Sequence, residues 1–236
     1  MVMKRLNIKV PYSSTYWTDF EGDLSVYYHF VWDELESHRE IINFIKGYIA
    51  IALKYKIAVP VNDFNDLIIQ SMSLYPLYQK ENNYYYPTYL FIDPKDKIAR
   101  KIISIDPLIS MENSFEKLNP HGSIPIRVEL LKREGKLKLL CYLDNDVFNL
   151  GLENKKCREF EYPVDNSELA YLNTPRLNSF LRDLKKLCFE FGATDFEFEN
   201  LGLNDFTENG ILLNEEVIFY EDIVDILESH HRIVKL

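Results

Sequence analysis

Glycine is scarce, with 8 residues in 236, about half the ~7% of an average chain. No GxxxxGK[ST] or GxGxxG run occurs, so a glycine-rich backbone cradle for phosphate is not expected. The GxSxG elbow and the HExxH zinc helix are also missing, and with them two recognisable routes to hydrolysis. The three cysteines, Cys141, Cys157 and Cys188, are odd in number and lack metal-ligand spacing. That usage argues against a disulfide framework and fits a reducing cytoplasm. Lys4 and Arg5 are not followed by an apolar stretch, so no signal peptide is expected. The longest strongly apolar run beside a helix, Gly47–Leu53, lies between Lys46 and Lys54. It falls far short of the ~18 residues a membrane span needs.

The most consequential absence is of cations between residues 190 and 228. This stretch holds twelve carboxylates, Glu190, Asp195, Glu197, Glu199, Asp205, Glu208, Glu215, Glu216, Glu221, Asp222, Asp225 and Glu228, and no Lys or Arg. Residues 190–236 contain 12 acids and 2 bases, which leaves 25 of each in residues 1–189. The whole net charge of −10 therefore sits in the last fifth of the chain. With a pI near 5.1, nonspecific attraction to nucleic acid or to an anionic membrane is not expected.

Disordered acidic tails are poor in aromatic and branched residues, and this segment is rich in them. It carries Phe191, Phe196, Phe198, Phe206, Ile211, Leu212, Leu213, Val217, Ile218, Phe219 and Tyr220. The run Asp195-Phe196-Glu197-Phe198-Glu199 alternates with period two. A strand there places both phenylalanines on one face and three carboxylates on the other, successive carboxylates roughly 6.6–6.8 Å apart. Glu208-Asn209-Gly210 signals a turn, and Ile211–Leu213 with Val217–Tyr220 reads as a hairpin across Asn214-Glu215. Residues 221–228 read as a short helix, with Ile223, Val224 and Leu227 on one side.

Upstream, Leu6, Ile8 and Val10 alternate as in a strand, and Leu24–Trp32 reads as a second. Ser37 and Glu40 match a capping box before a helix with Ile41, Ile45, Tyr48, Ile49, Ala52 and Leu53 at helical spacing. Asn62 opens a second helical pattern, with Phe64, Leu67, Ile68 and Met72 inward. Thr88–Ile92 and Ile98–Ile105 flank the turn Asp93-Pro94-Lys95-Asp96. Residues 107–125, with three prolines and Gly122, form a long loop and the one candidate boundary in an otherwise single domain. A hairpin follows around Glu134-Gly135, then a strand over Phe160, Tyr162 and Val164. Helix signals are strongest over Pro175–Phe191. There Thr174 serves as cap, Pro175 takes the first turn, and Leu177, Phe180, Leu181, Leu184, Leu187 and Cys188 form the apolar stripe. Gly192 is placed to terminate it. The class expected is α+β, a mainly antiparallel sheet built from hairpins with two or three packed helices.

Candidate chemistry is thin. His121-Gly122-Ser123 reads as a loop turn, because a catalytic triad is a spatial arrangement and not a run of neighbours. Asp144-Asn145-Asp146 opens like a calcium loop, but Phe148, Asn149 and Lys155 occupy positions where ligands and glycine are needed. Adjacent imidazoles on a helix point apart, so His230-His231 alone makes no metal pair. His29 and His38 lie near Asp33, Glu34 and Glu36, acids that a helix start accommodates without metal. The Tyr12–Phe20 loop and the Tyr75–Tyr86 region suit packing or a protein interface.

These features point to a non-enzymatic, cytoplasmic binding protein without cofactor or metal. Its acidic module, residues 190–228, would meet a basic protein through Asp195, Glu197, Glu199, Asp205, Glu208, Glu215, Glu216, Glu221 and Asp222. The most concrete form is an inhibitor or immunity protein that neutralises a nuclease-like toxin with a basic cleft. Two alternatives from other classes are a carboxylate-dependent metal enzyme and a structural subunit of a larger assembly.

Overall fold

A computed structural model describes residues 4–8, 26–33, 38–60, 72–73, 90–92, 99–103, 126–133, 136–143, 148–152, 161–200 and 205–233. In chain order the elements are β1 (Val26–Trp32), α1 (His38–Lys54), β2 (Ala58–Pro60), β3 (Met72–Ser73), β4 (Leu90–Ile92), β5 (Ala99–Ile103), β6 (Ile126–Arg133) and β7 (Lys136–Leu143). They continue with β8 (Gly151–Leu152), β9 (Val164–Asp165), α2 (Ser167–Glu190), β10 (Asp195–Asn200), β11 (Phe206–Thr207), β12 (Gly210–Leu213), β13 (Glu216–Val217) and α3 (Tyr220–Ile223). The class is α+β, as the alternation and hairpin signals predict.

The sheet that positions the acidic strand has the order β10-β1-β7-β6 and is antiparallel throughout. It draws strands from both sides of the 107–125 loop. Strand β1 has the sequence VYYHFVW, β-branched and aromatic residues that suit a pleated surface. Tyr28, Phe30 and Trp32 are buried and their neighbours His29 and Val31 less so, the period-two pattern of a sheet covered on one face. Helix α2 provides part of the cover. Phe189 meets Phe30 edge-on at 6.3 Å, and the Trp32 indole N–H donates to the Phe191 carbonyl at 3.1 Å. Helix α1 joins through Phe44, edge-on to Trp32 and to Phe191 at 5.4 and 5.7 Å, and through Tyr48 on Phe180 at 5.9 Å.

A second sheet has the order β2-β5-β4-β3, with β2 and β5 parallel and the other pairs antiparallel. The β4/β5 and β6/β7 hairpins match the sequence patterns. Strands β11, β12 and β13 form a third, tightly turned sheet. Its β12–β13 connection is Asn214-Glu215, both with positive φ, 52° and 72°. That is the twist a two-residue hairpin requires.

Helix α2 begins at Ser167, eight residues before the expected start at Pro175. Asp165 decides this by accepting from both the backbone N–H and the hydroxyl of Ser167. Thr174, expected as the cap, donates its hydroxyl to the Phe148 carbonyl instead. Pro175 therefore sits inside the helix, at a local cost of about 3 kcal/mol. Burial of Leu169, Ala170, Leu177, Phe180, Leu181, Leu184 and Cys188 offsets that cost. At the other end, Ala193 N–H bonds Cys188 O and Gly192 N–H bonds Phe189 O. With Gly192 at φ +83°, this is the Schellman termination expected of that glycine.

Other expectations change. Leu6 makes a single parallel bridge to Val164 rather than a strand. The strand over 160–164 contracts to Val164–Asp165, paired with β8. Met72 lies in β3, not on a helix; the rest of that helix pattern lies outside the described residues. So do Tyr12–Phe20, Tyr75–Tyr86, the 107–125 loop, His121 and Asp144–Asp146. The strand over 217–220 shortens to Glu216–Val217, and the helix over 221–228 to the single turn Tyr220–Ile223. Among the described residues, no helix is long and apolar enough to cross a membrane.

Candidate functional site

Among the described residues, the acidic strand β10 is an edge of its sheet. Its residues alternate exposed and half-buried from Asp195 to Asn200, as the sequence pattern predicts. Phe196 and Phe198 pack inward on Phe30 and Tyr28 at 4.9 and 5.2 Å. Asp195, Glu197 and Glu199 lie opposite Val31, His29 and Tyr27 of β1 in the register. Glu197 is 69% exposed, with its carboxylate 3.8 Å from His29 Nδ1. Asp195 accepts from the Phe196 N–H at 2.8 Å.

The other predicted acids are spread over the module. Asp205 and Glu208 are exposed at the start of the small sheet, and Glu215 and Glu216 at its second turn. The two turns lie at opposite ends of β12, three strand rises or ~10 Å apart. Asp222 is exposed and accepts from the Phe219 N–H at 2.9 Å, closing the first turn of α3. Glu221 is placed differently, in a polar cluster that joins α1, α2 and α3.

The centre of that cluster is the hydroxyl of Tyr55. It donates toward Asp183 Oδ2 at 2.7 Å and Glu221 Oε1 at 2.9 Å. It accepts from Lys54 Nζ at 2.7 Å and Arg182 Nη2 at 3.2 Å. Arg182 also bridges Asp183 and Glu221, at 2.9 and 3.0 Å, and Ser179 donates to Glu221 Oε2 at 2.6 Å. Burial together with the two carboxylates pushes the Tyr55 hydroxyl far above the ordinary phenol range. Burial alone would raise Glu221, but bonds from Arg182, Ser179, its own backbone and Tyr55 outweigh that and hold it at about 2. Asp183 is likewise held below the usual range, because Lys54, Tyr55 and Arg182 outweigh its burial. Two cations and two carboxylates close on one phenol that stays protonated. The arrangement braces three helices and offers no group poised to move a proton at neutral pH. Below it, Arg176 is 1% exposed and donates to the Tyr55 and Lys56 carbonyls, a cation at the end of α1 where the helix dipole favours one.

Sequence counting missed how α2 returns cations to the acidic module. Arg182 takes Glu221, Lys186 lies 3.7 Å from Glu190, and Lys185 sits 3.9 Å above the Phe196 ring. The signal was present in the heptad-like spacing of Arg182, Lys185 and Lys186 on the helix that enters the module.

Between β1, α2 and the small sheet is a pocket of about 330 Å³. Tyr28, Phe30, Leu181, Leu184, Val217 and Phe219 provide apolar walls, and Arg182, Lys185, Glu208 and Asn209 polar ones. The Arg182 guanidinium lies 4.9 Å above the Phe219 ring.

At the chain's far end the geometry departs from expectation. Ser229–His231 is a 3-10 turn, and the His230 and His231 rings are 3.9 Å apart between centroids. Donor atoms of Glu228, His230 and His231 all lie within 4.8 Å of one another. The expectation of divergent imidazoles assumed a continuing α-helix, which ends at Ile223. No protein family, curated protein or solved structure matches the chain.

Proposed function

We propose that the protein is a non-enzymatic binding protein that meets a basic protein partner along the exposed carboxylates of β10. The observation that carries this reading is the alternation of Asp195, Glu197 and Glu199 along a strand that is outermost in its sheet among the described residues, each exposed while its phenylalanine neighbours are half-buried. A concentrated negative field raises the encounter rate with a cationic surface. The pocket between β1, α2 and the small sheet has apolar walls on which an inserted partner side chain can anchor, with Glu208 at its rim. The remaining exposed acids, Asp205, Glu208, Glu215, Glu216 and Asp222, extend the field. Glu221 is committed to the brace and contributes less. The most concrete partner is a nuclease-like toxin whose basic cleft the acidic row occludes, which makes this chain an inhibitor or immunity protein. Charged residues also guard exposed edges against pairing with other chains. The test is therefore one of contact: zero-length carbodiimide coupling of carboxylates to amines in the native host. The proposal expects partner lysines joined to residues 195–199. Coupling found only elsewhere on the chain contradicts it.

A further inference from the structure

We propose that Glu228, His230 and His231 form a binding site for one divalent first-row transition-metal ion of the zinc type. The proposal is independent of the acidic edge. A tetrahedral ion with ~2.0–2.2 Å bonds holds its donors ~3.3–3.6 Å apart. The His230 Nδ1 and Glu228 Oε2 atoms already stand at 3.4 Å, and the third donor falls within the 4.8 Å limit of the set. Glu228 and His230 are exposed and His231 half-buried, so modest rotations of side chains open to solvent complete the approach.

The turn that carries them is held from several sides. The His231 N–H donates to the Glu228 carbonyl at 2.9 Å. The Arg232 guanidinium donates to the Leu227 and Asp225 carbonyls, each at 2.9 Å, which directs this cation at the backbone. The Ile233 N–H donates to the Tyr220 hydroxyl at 2.6 Å, and Tyr220 is buried. The ligands therefore sit on a backbone fixed to the core, the condition for a site that does not need to be assembled by the ion. Two imidazoles and one carboxylate suit zinc, cobalt or nickel and leave a position open to water or to a donor from another molecule. Magnesium and calcium, which prefer oxygen ligands, are disfavoured.

The test is calorimetric titration of the full chain with Zn²⁺, paired with the visible absorption of added Co²⁺. The wild type should bind one equivalent of Zn²⁺ at these residues and show the intense absorption of four- or five-coordinate Co²⁺. Even outer-shell partners of a metal ligand are worth ~10–100-fold in affinity, so removing two ligands in the H230Q/H231Q double variant should cost about 100-fold or more. E228Q should weaken binding by a smaller factor. All variants should keep the wild-type melting temperature in chelator. Should the double variant melt lower, the exposed H230Q alone serves the comparison. Unchanged Zn²⁺ stoichiometry and affinity in the histidine variants overturns the proposal, as does absence of binding by the wild type at millimolar Zn²⁺.

Discussion

Asn178 provides the sharpest test of how the acidic module is attached to the core. It is completely buried on α2, and its amide donates to the Ile211 and Ile218 carbonyls, each at 2.9 Å. Its oxygen accepts the Ile211 N–H at 2.8 Å. One side chain thus replaces the hydrogen bonds that a further strand would supply to β12 and its neighbour. Gly210, at φ +136°, makes room for it: a Cβ there would stand 2.5 Å from Asn178 Oδ1. In Asn178→Ala all three bonds go. Ile211 is fully buried, so its N–H and C=O are stranded, at ~1–3 kcal/mol each. Ile218 is only half-buried, and water can recover part of the loss at its carbonyl. The expected destabilisation is about 3–6 kcal/mol, a large part of the ~5–15 kcal/mol total of an ordinary domain. Urea unfolding followed by far-UV circular dichroism measures it, and hydrogen exchange locates it at the amides of 211–213. Asn178→Asp keeps the acceptor but loses both donors, and should be about as damaging. A loss below about 1 kcal/mol with the Ile211 amide still protected would show that other contacts hold the hairpin.

Leu184 is 1% exposed in the α2 stripe, so Leu184→Ala should cost about 2–5 kcal/mol in a urea or thermal melt. Glu221 has a folded pKa near 2 against an ordinary 4.5, so its contribution is present above pH ~4.5 and is lost as pH falls toward 2. Its side chain is 47% exposed, and screening reduces the benefit to about 1 kcal/mol at neutral pH. The stability gap between wild type and Glu221→Gln should close between pH 5 and 2, and a gap independent of pH refutes the assignment.

Features set by local pattern were legible in the sequence: the alternation of β10, the turn residues of the small sheet, the Gly192 termination, and the antiparallel pairing of β4 with β5 and of β6 with β7. What was not legible depended on distant partners. The start of α2 is the exception, set locally by Asp165, whereas the buried polar residues Thr174, Arg176 and Asn178 break an amphipathic pattern for reasons visible only in their contacts with 148, 55–56 and 211–218. Bonds from Tyr55, Ser179 and Arg182, not net charge, make Glu221 part of a brace, while Glu197 is 69% exposed beside His29. The placement of β1 between β7 and β10 is a pairing across most of the chain, which no window of adjacent residues encodes.

The central claim, that the β10 carboxylates steer a basic partner, is tested most directly by association kinetics with that partner as salt is varied. The screening length falls from about 30 Å at 0.01 M to about 8 Å at 0.15 M. The wild-type on-rate should fall over this range, with a smaller change in the off-rate. Glu197→Lys/Glu199→Lys should slow association at low salt while leaving the melting temperature nearly unchanged, because Phe196 and Phe198 still pack on Phe30 and Tyr28. The matched reversal Glu129→Lys/Glu134→Lys in the neutral part of the chain should do less. An on-rate that both pairs of reversals leave unchanged would contradict the account and leave the acidic edge as a solvated surface.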